Sequence, residues 1–177
     1  MPQRSLHSTR SFLRLAALAL PIAAALPGAS PRAQAPDLTA PPGYAGLWYD
    51  DTGDGAVEIA PCGERLCGRI VWLKKETDPA GRPLTDGYNP DPGRRRRPIC
   101  GLEVIGDLKR QRNGTWDEGW IYDPKEGKAY DAALRLRSAD QLEVIGYLGV
   151  KFLSETLVWR RAPADLKRCE VQAAGPL

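Results

Sequence analysis

The sequence predicts an all-β fold, an antiparallel up-and-down β-barrel of about eight strands, with a two-sheet β-sandwich as the alternative. Three observations predict it. After residue 44 no window keeps a helical period, short alternating or β-branched runs recur, and the separators between those runs carry turn chemistry. Eight antiparallel strands in hairpin order close naturally, which removes exposed edges and leaves room for a ligand-sized interior.

The first element is not part of that fold. Residues 1–35 hold Arg4, Arg10, Arg14 and Arg32 and no acid, and the first three precede an apolar run from Leu15 to Leu26. A charged segment followed by an apolar one reads as a secretory signal peptide, cleaved after Ala25 or Ala35. The run is too short for a membrane span, which needs about 20 residues, and Pro21 interrupts it. Residues 36–43 form a disordered, proline-rich lead-in.

The strands follow in order. Ala45 to Tyr49 and Ala56 to Ala60 flank the turn Asp51-Thr52-Gly53-Asp54-Gly55, and Leu66 to Leu73 follows a turn marked by Pro61 and Gly63. Leu102 to Leu108 and Thr115 to Tyr122 are joined through Asn113-Gly114, a hairpin dipeptide because glycine accepts the positive φ that tight turns need. Lys128 to Leu136 comes after Asp123-Pro124-Lys125-Glu126-Gly127, Gln141 to Tyr147 after Arg137-Ser138-Ala139-Asp140, and Glu155 to Arg161 is last. Alternation sets the faces: Tyr130, Ala132, Leu134 and Leu136 point one way, Asp131, Arg135 and Arg137 the other, and Leu142 and Val144 oppose Gln141 and Glu143. The stretch from Lys74 to Pro98 breaks the rhythm. It is punctuated by proline and glycine against helix, and a loop this long in a compact domain is usually functional or disordered.

Composition excludes more than it suggests. The chain of 177 residues has 25 Lys and Arg, 22 Asp and Glu and a net charge of +3, but without residues 1–35 the balance is −1. The only histidine, His7, lies in the leader. The body therefore has no Ser-His-Asp triad, no Cys-His dyad, no histidine-ligated metal and no imidazole base near neutral pH. A near-neutral body also lacks the electrostatic footprint of a nucleic-acid binder. No metal, cofactor or catalytic residue is assigned, and the chain is read as non-enzymatic. The runner-up on that point is an acid-base hydrolase, for which Glu155 is the acid to inspect first.

All four cysteines, Cys62, Cys67, Cys100 and Cys169, fall in the body, as suits an exported protein. Three pairings are open. The turn in PCGERLCG favours Cys62 with Cys67, which leaves Cys100 with Cys169 to tie down the tail, residues 163–177. Loop entropy values the short bridge at roughly 2 kcal/mol and the long one at roughly 4.

The motifs GLWYDD (46–51), IAPCGERLCGRIVWL (59–73), NPDPGRRRRPICGLEVI (89–105), WDEGWIYDPKEGKAY (116–130), LEVIGYLG (142–149) and VWRRA (158–162) resemble, in order, the bacterial family called domain of unknown function 2147. The resemblance covers the body, residues 44–162, and implies an exported protein with a lipocalin-like (calycin-like) barrel and no established activity. Gly46-Leu47-Trp48 is also similar to the G-x-W near the start of lipocalin-type barrels, where a late-strand arginine covers the tryptophan. Trp159 and Arg161 share a face of the last strand, which makes Arg161 the residue to cover Trp48.

Candidate binding residues are Trp72, Asn89, Arg97, Trp120, Tyr122 and Tyr130. Indoles and tyrosines give a barrel interior apolar surface with a polar tip, and Arg97 precedes Pro98-Ile99-Cys100 in the family's R-P motif. Asp91 or Asp123 is the expected acid partner of Arg97. Asp123 and Gly127 are assigned to the turn of the Tyr122 to Tyr130 hairpin, one capping it and the other supplying left-handed backbone. Asp50 to Gly55 reads as an acidic turn rather than a calcium loop, since Pro61 stands where an EF-hand needs glutamate. The resulting expectation is a periplasmic or secreted module that binds a small amphipathic or apolar molecule, with no stable membrane span and an oligomeric state left open. It carries a cavity of about a few hundred cubic ångströms, with the loop 74–98 over one end. The alternative is an envelope interaction or stress protein, with no interior ligand, that docks a protein or anionic polymer through Arg94 to Arg97.

Overall fold

A computed structural model describes residues 43–170; the leader, with its cleavage positions, and the rest of the lead-in lie outside them. Eight strands follow one another in sequence: β1 (Gly46–Tyr49), β2 (Gly55–Cys62), β3 (Arg65–Leu73), β4 (Glu103–Arg110), β5 (Trp116–Asp123), β6 (Lys128–Ser138), β7 (Gln141–Leu148) and β8 (Val150–Arg161). Each pairs antiparallel with its neighbours, and β1 pairs with β8, so the sheet closes into one barrel and not into two sheets of a sandwich. Closure removes the edge between first and last strands only partly. Within the ladder β1 meets β8 at Trp48 with Arg161 and Tyr49 with Arg160, which leaves β8 to run on past it beside β7 alone.

The last strand departs most from expectation. It begins at Val150, five residues before Glu155, because the β7–β8 connection is a tight hairpin at Gly149 whose φ of 69° requires the left-handed region. The extra length projects beyond the barrel wall and exposes Val150, Phe152 and Leu153, the phenylalanine at 92%.

Loops alternate between the ends. The β2–β3, β4–β5 and β6–β7 turns share one end with the incoming chain at Tyr44, whose hydroxyl donates to the Gly114 carbonyl and accepts from the Leu136 N–H. Here Leu66, Leu108, Trp116, Leu134 and Leu142 fill the interior, with Tyr44 edge-on to Trp116 at 6.4 Å. Trp48 is fully buried beneath the Arg161 guanidinium, which lies 4.0 Å from the ring centroid, and its indole N–H donates to the Tyr44 carbonyl at 2.8 Å. This end is a plug of side chains. Both disulfides form as the turn spacing favoured, Cys62 with Cys67 across the β2–β3 hairpin and Cys100 with Cys169 holding the tail to the wall.

Candidate functional site

The other end carries the β1–β2, β5–β6 and β7–β8 connections and the long β3–β4 segment, and between them the interior is open. The cavity measures about 880 Å³. Its wall is built from inward positions of the strands, Val57, Ile70, Val104, Ile121, Val144 and Leu157, with Trp159 at the boundary and Ile99 and Leu84 closing from above. The same alternation that buries Leu134 and Leu142 deeper in the barrel points Tyr130 and Val144 into this space.

Residues 74–98 are not a floppy excursion. Thr77 bridges Pro83, Thr85 bridges Pro98, the Leu84 N–H donates to Glu76 O, and Ile99 N–H donates to Leu84 O. A single 3-10 turn, Pro92–Arg94, is capped by the Asp91 carboxylate; the proline and glycine that argue against a helix are compatible with one tight turn.

The segment is fastened to the barrel by one buried acid. The Asp86 carboxylate, with no exposed surface, accepts from the Tyr122 hydroxyl at 2.6 Å, Asn89 Nδ2 at 2.7 Å and Arg97 Nε at 2.8 Å. Asn89 Nδ2 also donates to the Tyr122 oxygen, and the Arg97 guanidinium lies 5.6 Å from the Tyr122 ring centroid. Burial, reinforced by the Asp86 charge, pushes the Tyr122 hydroxyl pKa up and keeps it a donor. The partner of Arg97 is thus Asp86, not Asp91 or Asp123. Asp91 caps the 3-10 turn and pairs with Arg94, and Asp123 accepts from the Lys125 N–H at its own turn.

Of the six candidate binding residues, Tyr122 and Tyr130 line the cavity, whereas Asn89 and Arg97 form the latch behind Tyr122. Trp72 and Trp120 stand on the outer wall. Trp72 packs edge-on against Tyr49 at 5.4 Å, and Trp120 lies over Gly106, its N–H on Asp107. Their outward direction follows from register: Trp120 pairs with Asp131 on the solvent face of β6, and a bulge at Val71 of β3 puts Trp72 opposite Ala56 on the outer side.

Gly127 is required by a close approach. Its φ is 67°, and a Cβ there would clash with the Tyr88 carbonyl oxygen of the segment 74–98. Residues missed in the sequence are Asp86, Leu84 and Tyr88 on the segment 74–98 and Phe152 and Leu153 on the projecting hairpin, all but Asp86 lining the opening. The Asp86-Gly87 dipeptide and the apolar pair 152–153 were the available signals.

The motif pattern and this geometry meet in one comparison: the family described as "Uncharacterized protein conserved in bacteria (DUF2147)" matches residues 46–161. The chain belongs to the DUF2147 family. The match spans all eight strands, the segment 74–98 and the Asp86 latch, so the described residues that line the cavity lie within the DUF2147 domain. Among solved structures this DUF2147 chain is similar to a protein described as HP1028 from Helicobacter pylori, belonging to the lipocalin family. The TM-score is 0.60 at 19% identity, over 68% of this chain and 83% of that one. That likeness confirms the lipocalin-like barrel. No curated protein matches the chain.

Proposed function

We propose that this protein is a binding module of the bacterial envelope that holds a small apolar or amphipathic molecule inside its barrel. The observation that carries the reading is the half-filled interior. A barrel of this size can close over its own side chains, and here one half does, while the other leaves an open cavity of about 880 Å³ whose inner wall is aliphatic and whose mouth is polar. Ligand cavities run about 300–1,000 Å³, so the space suits one small molecule. Two disulfides fit an oxidising compartment such as the periplasm, and among the described residues no helix is long and apolar enough to cross a membrane.

The geometry supports binding rather than catalysis. Aliphatic walls supply the hydrophobic gain, about 25 cal/mol per Å² of apolar surface removed from water. The lid, latched through Asp86 to Tyr122, covers part of the mouth, and the β7–β8 hairpin forms the opposite lip. The test is native mass spectrometry of the protein taken gently from its own envelope fraction and again after delipidation. The expected result is one adduct that is lost on delipidation and returns with an apolar probe such as N-phenyl-1-naphthylamine. Delipidated protein that takes up no apolar probe overturns the proposal.

A further inference from the structure

We infer that the molecule held in the barrel is cationic at its exposed end, an apolar body carrying an amine or quaternary ammonium group. The inference rests on the interior-binding reading above and specifies its ligand class. Among the described residues six acids line the cavity, Asp50, Asp51, Asp54, Asp123, Glu126 and Glu155, against one base, Lys125. Two of the six are already neutralised, Asp54 by Lys74 at 3.1 Å and Glu126 by Lys128 at 3.4 Å. Asp50, Asp51, Asp123 and Glu155 have no ion-pair partner among the described residues. Asp50, Asp51, Asp54 and Glu126 belong to the connections at the open end, Asp123 ends β5 and Glu155 lies on β8 toward the same end, so the negative field sits where a ligand's polar end would emerge from an aliphatic wall.

A second, independent observation lies at the same place. Tyr88 and Phe152, 73% and 92% exposed, line the opening, an arrangement that core packing does not explain. Tyr130 joins them, its hydroxyl donating to Glu126 at 2.7 Å; that hydrogen bond first, then burial and the charges of Glu126, Asp123 and Glu155, push its pKa up. Aromatic faces among uncompensated carboxylates are the chemistry that recognises an ammonium group, by ring quadrupole and by charge. A fatty carboxylate would meet the reverse. The arginines that could receive one do not line the cavity: Arg94 pairs with Asp91, Arg95 holds the Asn89 carbonyl, and Arg97 is spent on Asp86.

The experiment compares dodecylamine, dodecanol and dodecanoate, each below its micellar concentration, as competitors for N-phenyl-1-naphthylamine bound to the full-length, oxidised protein near neutral pH. The expected order is amine, then alcohol, then carboxylate. The amine should be effective at about a tenfold lower concentration than the carboxylate, with the gap narrowing as ionic strength rises from about 0.01 M to about 0.5 M. Glu155→Gln combined with Asp51→Asn, both exposed and outside the latch, should close most of the gap. Carboxylate binding as tight as amine binding, or a gap indifferent to both salt and the variants, overturns this inference and leaves interior binding standing. Failure of the neutral dye and of all three competitors to bind overturns both.

Discussion

Asp86 is the residue on which the lid depends. A carboxylate with no exposed surface is tolerated because three donors surround it, and losing it leaves the Tyr122 hydroxyl, Asn89 and Arg97 without their shared acceptor. Asp86→Ala should cost about 2–4 kcal/mol in urea unfolding, somewhat less than a fully buried pair because Arg97 is a third exposed. Arg161 works similarly at the closed end. It lies over Trp48 and donates to the carbonyls of Ala139, Ala45 and Gly43, so Arg161→Ala should lower the urea midpoint by the equivalent of about 2–3 kcal/mol. Arg161→Lys should rescue little of it, since an ammonium cannot lie flat on an indole and serve three acceptors. The sequence made Arg161 and Trp48 legible because both lie on regular strands with a countable period. Asp86 was hidden because its partners are 3, 11 and 36 residues away across an irregular segment.

Tyr147 links residue chemistry to pH. Burial first, then the hydrogen bond to Asp117 at 3.0 Å and that group's charge, push its pKa from 10.0 to about 12. Burial also opposes ionisation of Asp117, but Lys151, the Glu118 N–H and Tyr147 itself outweigh it and hold the carboxyl below the usual range. The folded protein keeps the Tyr147 proton where the unfolded chain has begun to lose it. Its contribution is therefore complete below pH 10 and falls away as pH rises to about 12. Tyr147→Phe should flatten that part of the stability-pH curve, measured by urea midpoints across the alkaline range. An unchanged slope contradicts the assignment.

At the scale of elements, the hairpin order, the turns and both disulfides could be read from the sequence because each rests on local chemistry: alternation, Asn113-Gly114, and the Pro61-Gly63 turn between Cys62 and Cys67. The inward set of β6 follows from period two alone. Trp72 and Trp120 were misplaced because bulges shift the register, and composition favours burying indole whichever way it points. The projecting hairpin of β7 and β8 escaped because Phe152 and Leu153 interrupt an otherwise amphipathic run. Gly127 couples two elements, the β5–β6 turn and the lid, through its contact with the Tyr88 carbonyl. Gly127→Ala should strain the turn by about 1 kcal/mol or more and displace the lid. Hydrogen exchange should then quicken at Leu84, Asp86 and Ile99, whose N–H groups fasten the segment, while β2 and β3 keep their protection.

The molecule as a whole is a barrel divided into a plugged half and an open half, and that division is what sequence could not supply. Both halves present aliphatic residues at the same period, so pattern alone predicts an interior without telling packed from empty. Only the sizes and directions of side chains from eight strands decide it. Trp48 and Trp116 converge at the closed end, whereas Val57, Val104 and Val144 are too small to meet across the other. Binding in the open half is the reading that this division supports. It is tested most directly by titrating N-phenyl-1-naphthylamine into the native protein and into Val144→Trp, which puts an indole into the cavity at a buried wall position. The native protein should bind one equivalent with a saturating, blue-shifted rise in dye fluorescence. The variant, shown to be folded by circular dichroism, should bind at least about tenfold more weakly. A native protein that never saturates, or a folded variant that binds as tightly as the native one, would contradict it.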